Sequence, residues 1–281
     1  MFYILRRRGL GLGSSKAIKE LSQHDITIVR NDKLPEFNED DVILRWGCTS
    51  IALTPQLTIT LNKRVAISIA NKKSLFRKIL QEHVPEIVPK TWFDYLDPNI
   101  TYPCVLRPAT HAQGKFLYLC HNRDSIRAII NTHPILNGNY YISEYIPKVA
   151  EYRVMFIQGL VAWIANKIPA NPEAIAWNVA KGGKFANVKW KNWPIDVIET
   201  AYQAYLISGL YLGGVDVMVD KDGRSYVLEI NSAPSHTSPY RQSCTTKCID
   251  YGITHNMFKH YPPDDNFKKY SKWLHPVLKT V

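Results

Sequence analysis

Residues 214–234 read Gly-Val-Asp-Val-Met-Val-Asp-Lys-Asp-Gly-Arg-Ser-Tyr-Val-Leu-Glu-Ile-Asn-Ser-Ala-Pro, and this segment restricts the fold more than any other. Two alternating runs flank Asp222-Gly223, the strongest short-range hairpin signal, which favours a two-residue type I′ loop. With that loop Lys221 pairs with Arg224, Val219 faces Tyr226, Val217 faces Leu228 and Asp216 faces Glu229. Strand side chains alternate, so Val215, Val217, Val219, Tyr226, Leu228 and Ile230 form one apolar face, and Asp216, Glu229 and Asn231 share the other. Two carboxylates directly opposed across a hairpin repel unless something positive sits between them. Two carboxylates and an amide are hard oxygen donors that suit Mg²⁺, an ion that also keeps waters and borrows phosphate oxygens. The alternative is a surface hairpin whose acids face water.

The remaining composition sets outer limits. A chain of 281 residues with 46% hydrophobic and 21% charged residues can bury a substantial core, in one large or two small domains. No apolar run approaches the roughly 20 residues needed to span a bilayer. The N-terminus, Met-Phe-Tyr-Ile-Leu-Arg-Arg-Arg, puts its apolar residues before its charges and reads as a first β-strand instead of a signal peptide. Cys48, Cys104, Cys120, Cys244 and Cys248 are an odd, scattered set, as expected of reduced thiols in a cytoplasmic protein. Cys244 and Cys248, even with His236 and His255 nearby, match no common zinc spacing. The net charge is +11, and the region after Ser238 carries seven basic residues against three acidic. With Tyr270 and Trp273 interleaved, that surface suits nucleic acid, an acidic peptide, or simply water.

Periodicity gives strands at 2–5, 26–29 and 42–44 and a helix over 15–23. Gly9-Leu-Gly-Leu-Gly13-Ser-Ser-Lys16 precedes that helix, where anions can bind, but it lacks the spacing of a phosphate loop and reads by default as a glycine-rich turn. Arg45-Trp46-Gly47 either lines a cleft or closes a strand. A helix over 74–82, an extended stretch at 88–91 and a hairpin of 102–106 with 116–120 follow, the last with a glycine-bearing connection. Then come a helix over 124–131, a strand at 140–144, a hairpin around Gln158-Gly159 and a helix over 195–210. A last helix is expected near 266–273, in a basic tail over 241–281.

Asp216, Glu229, Asn231 and Pro234 resemble the metal-binding hairpin of the ATP-grasp superfamily, and further elements resemble that family in chain order. Asn71-Lys72 is similar to its first nucleotide lysine, which implies a phosphate contact for Lys72; a surface lysine is the alternative. Val105-Leu-Arg-Pro108 is similar to the strand ending in a phosphate-facing Lys-Pro, with Arg107 keeping the charge and adding a fork. Residues 111–115 stand where the family's flexible glycine loop closes over phosphates, with His111 and Lys115 as γ-phosphate caps. Ser143-Glu-Tyr-Ile146 resembles the hinge, which implies Glu144 near the adenine amino group and backbone groups of Tyr145 and Ile146 on the adenine edge. Glu151-Tyr-Arg153 resembles the element whose acid takes the ribose hydroxyls and whose arginine points at the reacting groups; a cross-strand ion pair is the alternative. Residues 178–183 resemble the Asn-x-x-Arg-Gly-Gly element of glutamate-adding ligases, which implies substrate or phosphate contacts for Asn178 and Lys181. Where the family has an arginine two residues earlier, this chain has Ala176, so that contact falls to another group such as Lys167.

The resemblance covers residues 71–234 and is closest to the branch with glutathione synthetase and the ribosomal-protein glutamate ligase; small phage-encoded ATP-grasp proteins are also similar. It implies an α+β and α/β architecture, with an N-terminal α/β domain (1–62) before two α+β subdomains (63–146 and 147–240) that grip ATP. It further implies ATP with two Mg²⁺ ions, a carboxylate substrate and an amine acceptor (amino acid, peptide or protein, or modified nucleic acid), joined through an acyl phosphate in the cytoplasm. The rival readings are a catalytically idle nucleotide-binding module and a basic nucleic-acid-binding protein.

Overall fold

Residues 1–9, 13–49, 59–109, 116–177 and 179–260 are described by a computed structural model. The first and third N-terminal strands, at 2–6 and 42–45, are wholly buried, as their apolar runs require. β1 (Phe2–Arg6) pairs in parallel with β2 (Ile26–Arg30) on one side and β3 (Val42–Arg45) on the other, and β4 (Ile59–Leu61) adds to β3. Helix α1 (Gly13–Leu21) makes the crossover that parallel pairing needs. The sequence signals β1, β2, β3 and α1, and omits the three-residue β4.

Helices α2 (Arg64–Asn71) and α3 (Lys73–His83) lead to a small antiparallel sheet in the order β5-β8-β6-β7. Its strands are β5 (Thr91–Trp92), β6 (Cys104–Pro108), β7 (Tyr118–Cys120) and β8 (Tyr140–Glu144), with α4 (Arg123–Thr132) before β8. Asn122 and Ser125 form a reciprocal capping box at the start of α4.

A five-stranded antiparallel sheet in the order β11-β10-β9-β12-β13 holds the centre. It comprises β9 (Lys148–Ile157), β10 (Leu160–Ile168), β11 (Lys184–Val188), β12 (Leu212–Asp220) and β13 (Ser225–Asn231). One face packs Val154, Phe156, Val215, Val217 and Val227 against α5 (Ile195–Ser208) and the helices α2 and α3. The opposite face packs Met155, Ile157, Trp163 and Leu212 against Phe2, Ile4 and Ile18 of the N-terminal unit. Helix α6 (Pro239–Thr254) completes that second core with Cys244, Cys248 and Ile249. Residues 239–254 are thus a core helix where the sequence reads as the start of a basic tail. The rest of that tail, including the helix expected near 266–273, lies outside the described residues. All five cysteines are buried and none is in a disulfide. Among the described residues, no helix is long and apolar enough to cross a membrane.

Asn62 joins the N-terminal unit to the central sheet. It sits in the left-handed region at φ 55°, which asparagine tolerates better than most residues. Its Oδ1 accepts from the N–H groups of Tyr211 (2.8 Å) and Leu212 (3.0 Å), and its Nδ2 donates to the carbonyls of Arg45 and Leu212.

Candidate active site

The β12–β13 hairpin departs from expectation near its turn and returns to it at the acids. Asp220 and Arg224 close the loop, so three residues stand between them, and Gly223 takes φ +81°. Asp220 fixes this longer loop by accepting from the N–H groups of Asp222 and Arg224, both at 2.9 Å. Val217 therefore faces Val227, one residue away from the Leu228 that a two-residue loop gives. A bulge at Leu228 then restores Asp216 opposite Glu229 and Gly214 opposite Asn231. Because the offset swaps faces on β13, Val227 enters the core and Leu228 turns into the cleft, beside Met218 of β12. The Arg77 guanidinium supports the bulge by donating to the Leu228 carbonyl at 2.9 Å. Burial pulls Arg77 down to about 10.

The cleft holds about 430 Å³ and lies between the small sheet and the central sheet. Val105, Ile146, Met218 and Leu228 supply apolar walls. Glu144, Tyr145 and Ile146, on the segment joining β8 to β9, line it, as do Arg107 and Glu151. The Tyr145 N–H is already engaged with the Pro103 carbonyl at 3.3 Å. Arg107 lies 5.6 Å from the centre of the Tyr141 ring.

Charge is densest at the floor. Asp216, 1% exposed, is flanked by Glu229 on β13 and by Arg153 on β9. Arg153 grips it as a fork, Nε to Oδ1 at 2.6 Å and Nη2 to Oδ2 at 2.8 Å. Lys167 donates to the same Oδ2 at 2.7 Å and also to Glu151, which Lys148 contacts too. Lys73 pairs with Glu229, whose other oxygen accepts from Asn231 Nδ2 at 3.1 Å. Burial alone raises the pKa of the Asp216 carboxyl, yet Arg153 and Lys167 outweigh it and hold that group far below the usual range. Glu229 is likewise lowered, with Lys73 overcoming burial. Arg153 and Lys167 are raised, since Asp216 more than offsets their burial. Lys148 is lowered, its burial exceeding the help from Glu151.

Several sequence-expected positions move or divide. Lys72 is exposed at the junction of α2 and α3, and the next residue, Lys73, turns into the cleft. Glu151 and Arg153 do not pair with one another: Glu151 takes Lys148 and Lys167, and Arg153 takes Asp216. Lys181 is exposed in a short 3₁₀ turn and is absent from the cleft lining. His111, Lys115 and Asn178 lie outside the described residues. Ala176 lines the cleft with Lys167, the cation that reaches the floor. Nothing in the sequence sets Lys73 and Lys148 apart as cleft residues. A lone charge in β10, whose residues are apolar as far as Ala165, the partner of Arg153, is the signal for Lys167 two residues on. Arg45-Trp46-Gly47 closes β3: a Cβ on Gly47, at φ +65°, would stand 2.7 Å from that of Ala233.

Two carboxylates and an amide converge here, with lysine and arginine supplying positive charge against them. Among the described residues no trio of His, Cys, Asp or Glu forms a metal cluster. Mg²⁺ bound beside phosphates needs no more than one or two carboxylates, so Asp216, Glu229 and Asn231 fit it.

Comparison with known proteins agrees with this geometry. The model of the RimK-like ATP-grasp domain matches residues 86–250. A probable alpha-L-glutamate ligase of Vibrio vulnificus (strain YJ016) is 26% identical over 223 residues, covering 73% of this chain and 71% of the relative. D-alanine–D-alanine ligase from Bacillus anthracis, solved with ATP, superposes with a TM-score of 0.61 at 16% identity, over 92% of this chain and 95% of that one. A RimK domain ATP-grasp protein from Sphaerobacter thermophilus gives 0.59 at 17% identity, over 88% and 98%. The fold is the ATP-grasp fold, and the chain belongs to the RimK-like ATP-grasp family.

Proposed function

We propose that this protein is an ATP- and Mg²⁺-dependent carboxylate–amine ligase that forms an amide bond through an acyl phosphate. The observation that carries this reading is the in-register meeting of Asp216, Glu229 and Arg153 at the floor of a cleft walled by the β8–β9 segment. Adenine would lie against Met218, Leu228 and Val105, with Glu144 at its amino group and the Ile146 backbone and Tyr145 carbonyl at its edge. Glu151 would take the ribose hydroxyls. Lys73 and Arg107, with His111 and Lys115 from the 111–115 segment, would neutralise phosphate charge. Asp216, Glu229 and Asn231 would hold Mg²⁺, which supplies charge neutralisation at the β- and γ-phosphates.

Phosphoryl transfer needs positioning and charge more than covalent help from the protein. A substrate carboxylate oxygen attacks the γ-phosphorus and ADP leaves. The amine nitrogen then attacks the acyl carbon, inorganic phosphate leaves, and the nitrogen loses a proton. Arg153 would steady the carboxylate and then the tetrahedral oxyanion, assisted by Lys181 and Asn178. The curated relative's name points to an amino acid such as L-glutamate as one substrate.

Hydroxylamine tests this directly. With ATP, Mg²⁺ and the right acid it should intercept the activated acyl group as a hydroxamate, and Glu229→Gln should nearly abolish that product while the protein stays folded. ATP cleavage that never yields hydroxamate or amide, whatever acid is supplied, would point to a kinase or an idle ATPase.

A further inference from the structure

Cys104 begins β6 and Cys120 ends β7, and the two stand directly opposite one another across this antiparallel pair. Opposed residues project from the same face of a sheet, and both thiols enter one core with Trp92, Leu106, Ile126 and Ile142. Both are fully buried, and neither is in a disulfide. Each thiol feels the other. Hydrogen bonding to Cys120 raises the pKa of Cys104, with burial adding to the rise, and the same bond lowers Cys120 against its burial. The other cysteines are placed differently: Cys48 packs with Tyr3 and Leu5, and Cys244 and Cys248 lie along α6 in the second core.

Opposed residues of an antiparallel pair have Cα atoms about 4.5–5.5 Å apart, inside the range of about 4.4–6.8 Å usual for a cystine. Their Cβ atoms also stand about 4.5–5.5 Å apart, against about 3.8 Å in a cystine, so a bond needs a small approach of the strands. β7 can supply that approach, because it is three residues long and forms one edge of the small sheet. A short edge strand with few contacts belongs to the low-stability end of a structure, and its opening admits a small oxidant to sulfurs that the closed form covers. The hairpin bears on the cleft, since Val105 and Arg107 of β6 and Leu117, just before β7, line it.

We propose that Cys104 and Cys120 are a redox modification site, which hydrogen peroxide closes into a reversible disulfide that pins β7 to β6 beside the cleft. The Cys120 thiolate sulfur attacks one peroxide oxygen and the O–O bond breaks, which leaves a sulfenic acid on Cys120. The expelled hydroxide takes up the proton that Cys120 lost and becomes water. The Cys104 sulfur then displaces hydroxide from the Cys120 sulfur, and the Cys104 proton completes a second water. Two thiols thus give up two electrons and two protons as the peroxide is reduced to two waters. A dithiol such as dithiothreitol reverses the bond by thiol–disulfide exchange. Neither ATP nor an organic substrate takes part, so the site is independent of the ligase reading.

The test is thiol counting on the full chain. After hydrogen peroxide and then catalase, the protein is unfolded, alkylated with N-ethylmaleimide and digested with trypsin for mass spectrometry. Three of the five thiols should still be alkylated, with the peptide of Cys104 joined to that of Cys120, and dithiothreitol should restore all five. Backbone amides of Leu106 and Tyr118 should exchange with D₂O on the order of tenfold more slowly in the oxidised protein. Cys104→Ala should halt the reaction at a sulfenic acid on Cys120, which dimedone labels. Five free thiols after peroxide, a link through Cys48, Cys244 or Cys248, or unchanged exchange in the linked protein would each overturn the proposal. If Cys104→Ala does not fold, the wild-type link and its exchange decide the matter alone. A protein that forms no hydroxamate yet gains the link would lose the ligase reading and keep this site.

Discussion

Asp216 is the residue on which most of the charged floor depends, because its two oxygens take three donors from two neighbouring cations. Those cations are not equivalent. Removing Arg153 leaves a buried carboxylate with one lysine, whereas removing Lys167 leaves Asp216 with Arg153 and Glu151 with Lys148. Breaking a buried pair by deleting one partner typically costs 3–5 kcal/mol. Urea unfolding should therefore show a loss of about 3–5 kcal/mol for Arg153→Met and only about 1–3 kcal/mol for Lys167→Met. Equal losses would mean that the two pairs are not linked through Asp216 as the hydrogen bonds indicate. At this scale the acids were legible in the sequence, Arg153 and Lys167 were legible as site residues but not as partners of Asp216, and Lys73 and Lys148 were not legible at all. Asp216, Glu229 and Asn231 stand out by spacing alone. A lysine betrays nothing of its direction, and the non-helical break at Lys72 between α2 and α3 separates that exposed side chain from Lys73 in the cleft.

Among the elements, the β12–β13 hairpin shows where pattern reading works and where it slips. Asp-Gly announces a turn, but it serves both the two-residue loop and the three-residue loop that ends in a left-handed glycine. Alternation cannot choose between them, since each loop has its own bulge-free continuation. Here Asp220 chooses, through the bonds its carboxylate accepts within the loop and from Tyr226 Oη at 3.3 Å. Asp220→Ala should thus cost about 1–3 kcal/mol, as expected for losing several modest hydrogen bonds, whereas Asp222→Ala should change stability by less than about 0.5 kcal/mol. Comparable losses in chemical denaturation would show that the Asp220 side chain does not set the loop. Helix α6 escaped notice for another reason. It buries Arg241, Thr245, Thr246 and Gly252 beside its two cysteines, so it has no apolar stripe to read.

At the scale of the whole molecule, His236 reports on the joint between the N-terminal unit and the central sheet. It is 3% exposed, its backbone exchanges hydrogen bonds with Ser14, and its ring lies near those of Trp46 and Trp163. Burial, with the charges of Arg241 and Arg153, pulls its pKa down to about 4, against a bond to the Pro234 carbonyl that pulls upward. The folded protein then binds fewer protons at this site than the unfolded chain between the ordinary value of 6.5 and about 4. Its contribution is complete above 6.5, declines as pH falls through that window, and levels off below it. By linkage the decline is about 3 kcal/mol at most. Comparing wild type with His236→Phe by urea unfolding from pH 7 to pH 4 should show a steeper loss in wild type. Parallel curves would mean that the ring is protonated in the fold. The ATP-grasp architecture was legible through the family resemblance, but this joint was not, because Ser14 and His236 meet across 222 residues of sequence.

That same remoteness governs how the molecule is made. Phe2 completes its packing against Phe258, with ring centres 5.4 Å apart, and Ser14 holds the backbone of His236. β1 therefore leaves the ribosome well before the Met257–His260 turn that brings Phe258 against it. Until then the inner face of the N-terminal sheet stays exposed to water and to other chains, a long wait that slows native pairing and favours association. Phe2 and Phe258, far apart in sequence, close one and the same core.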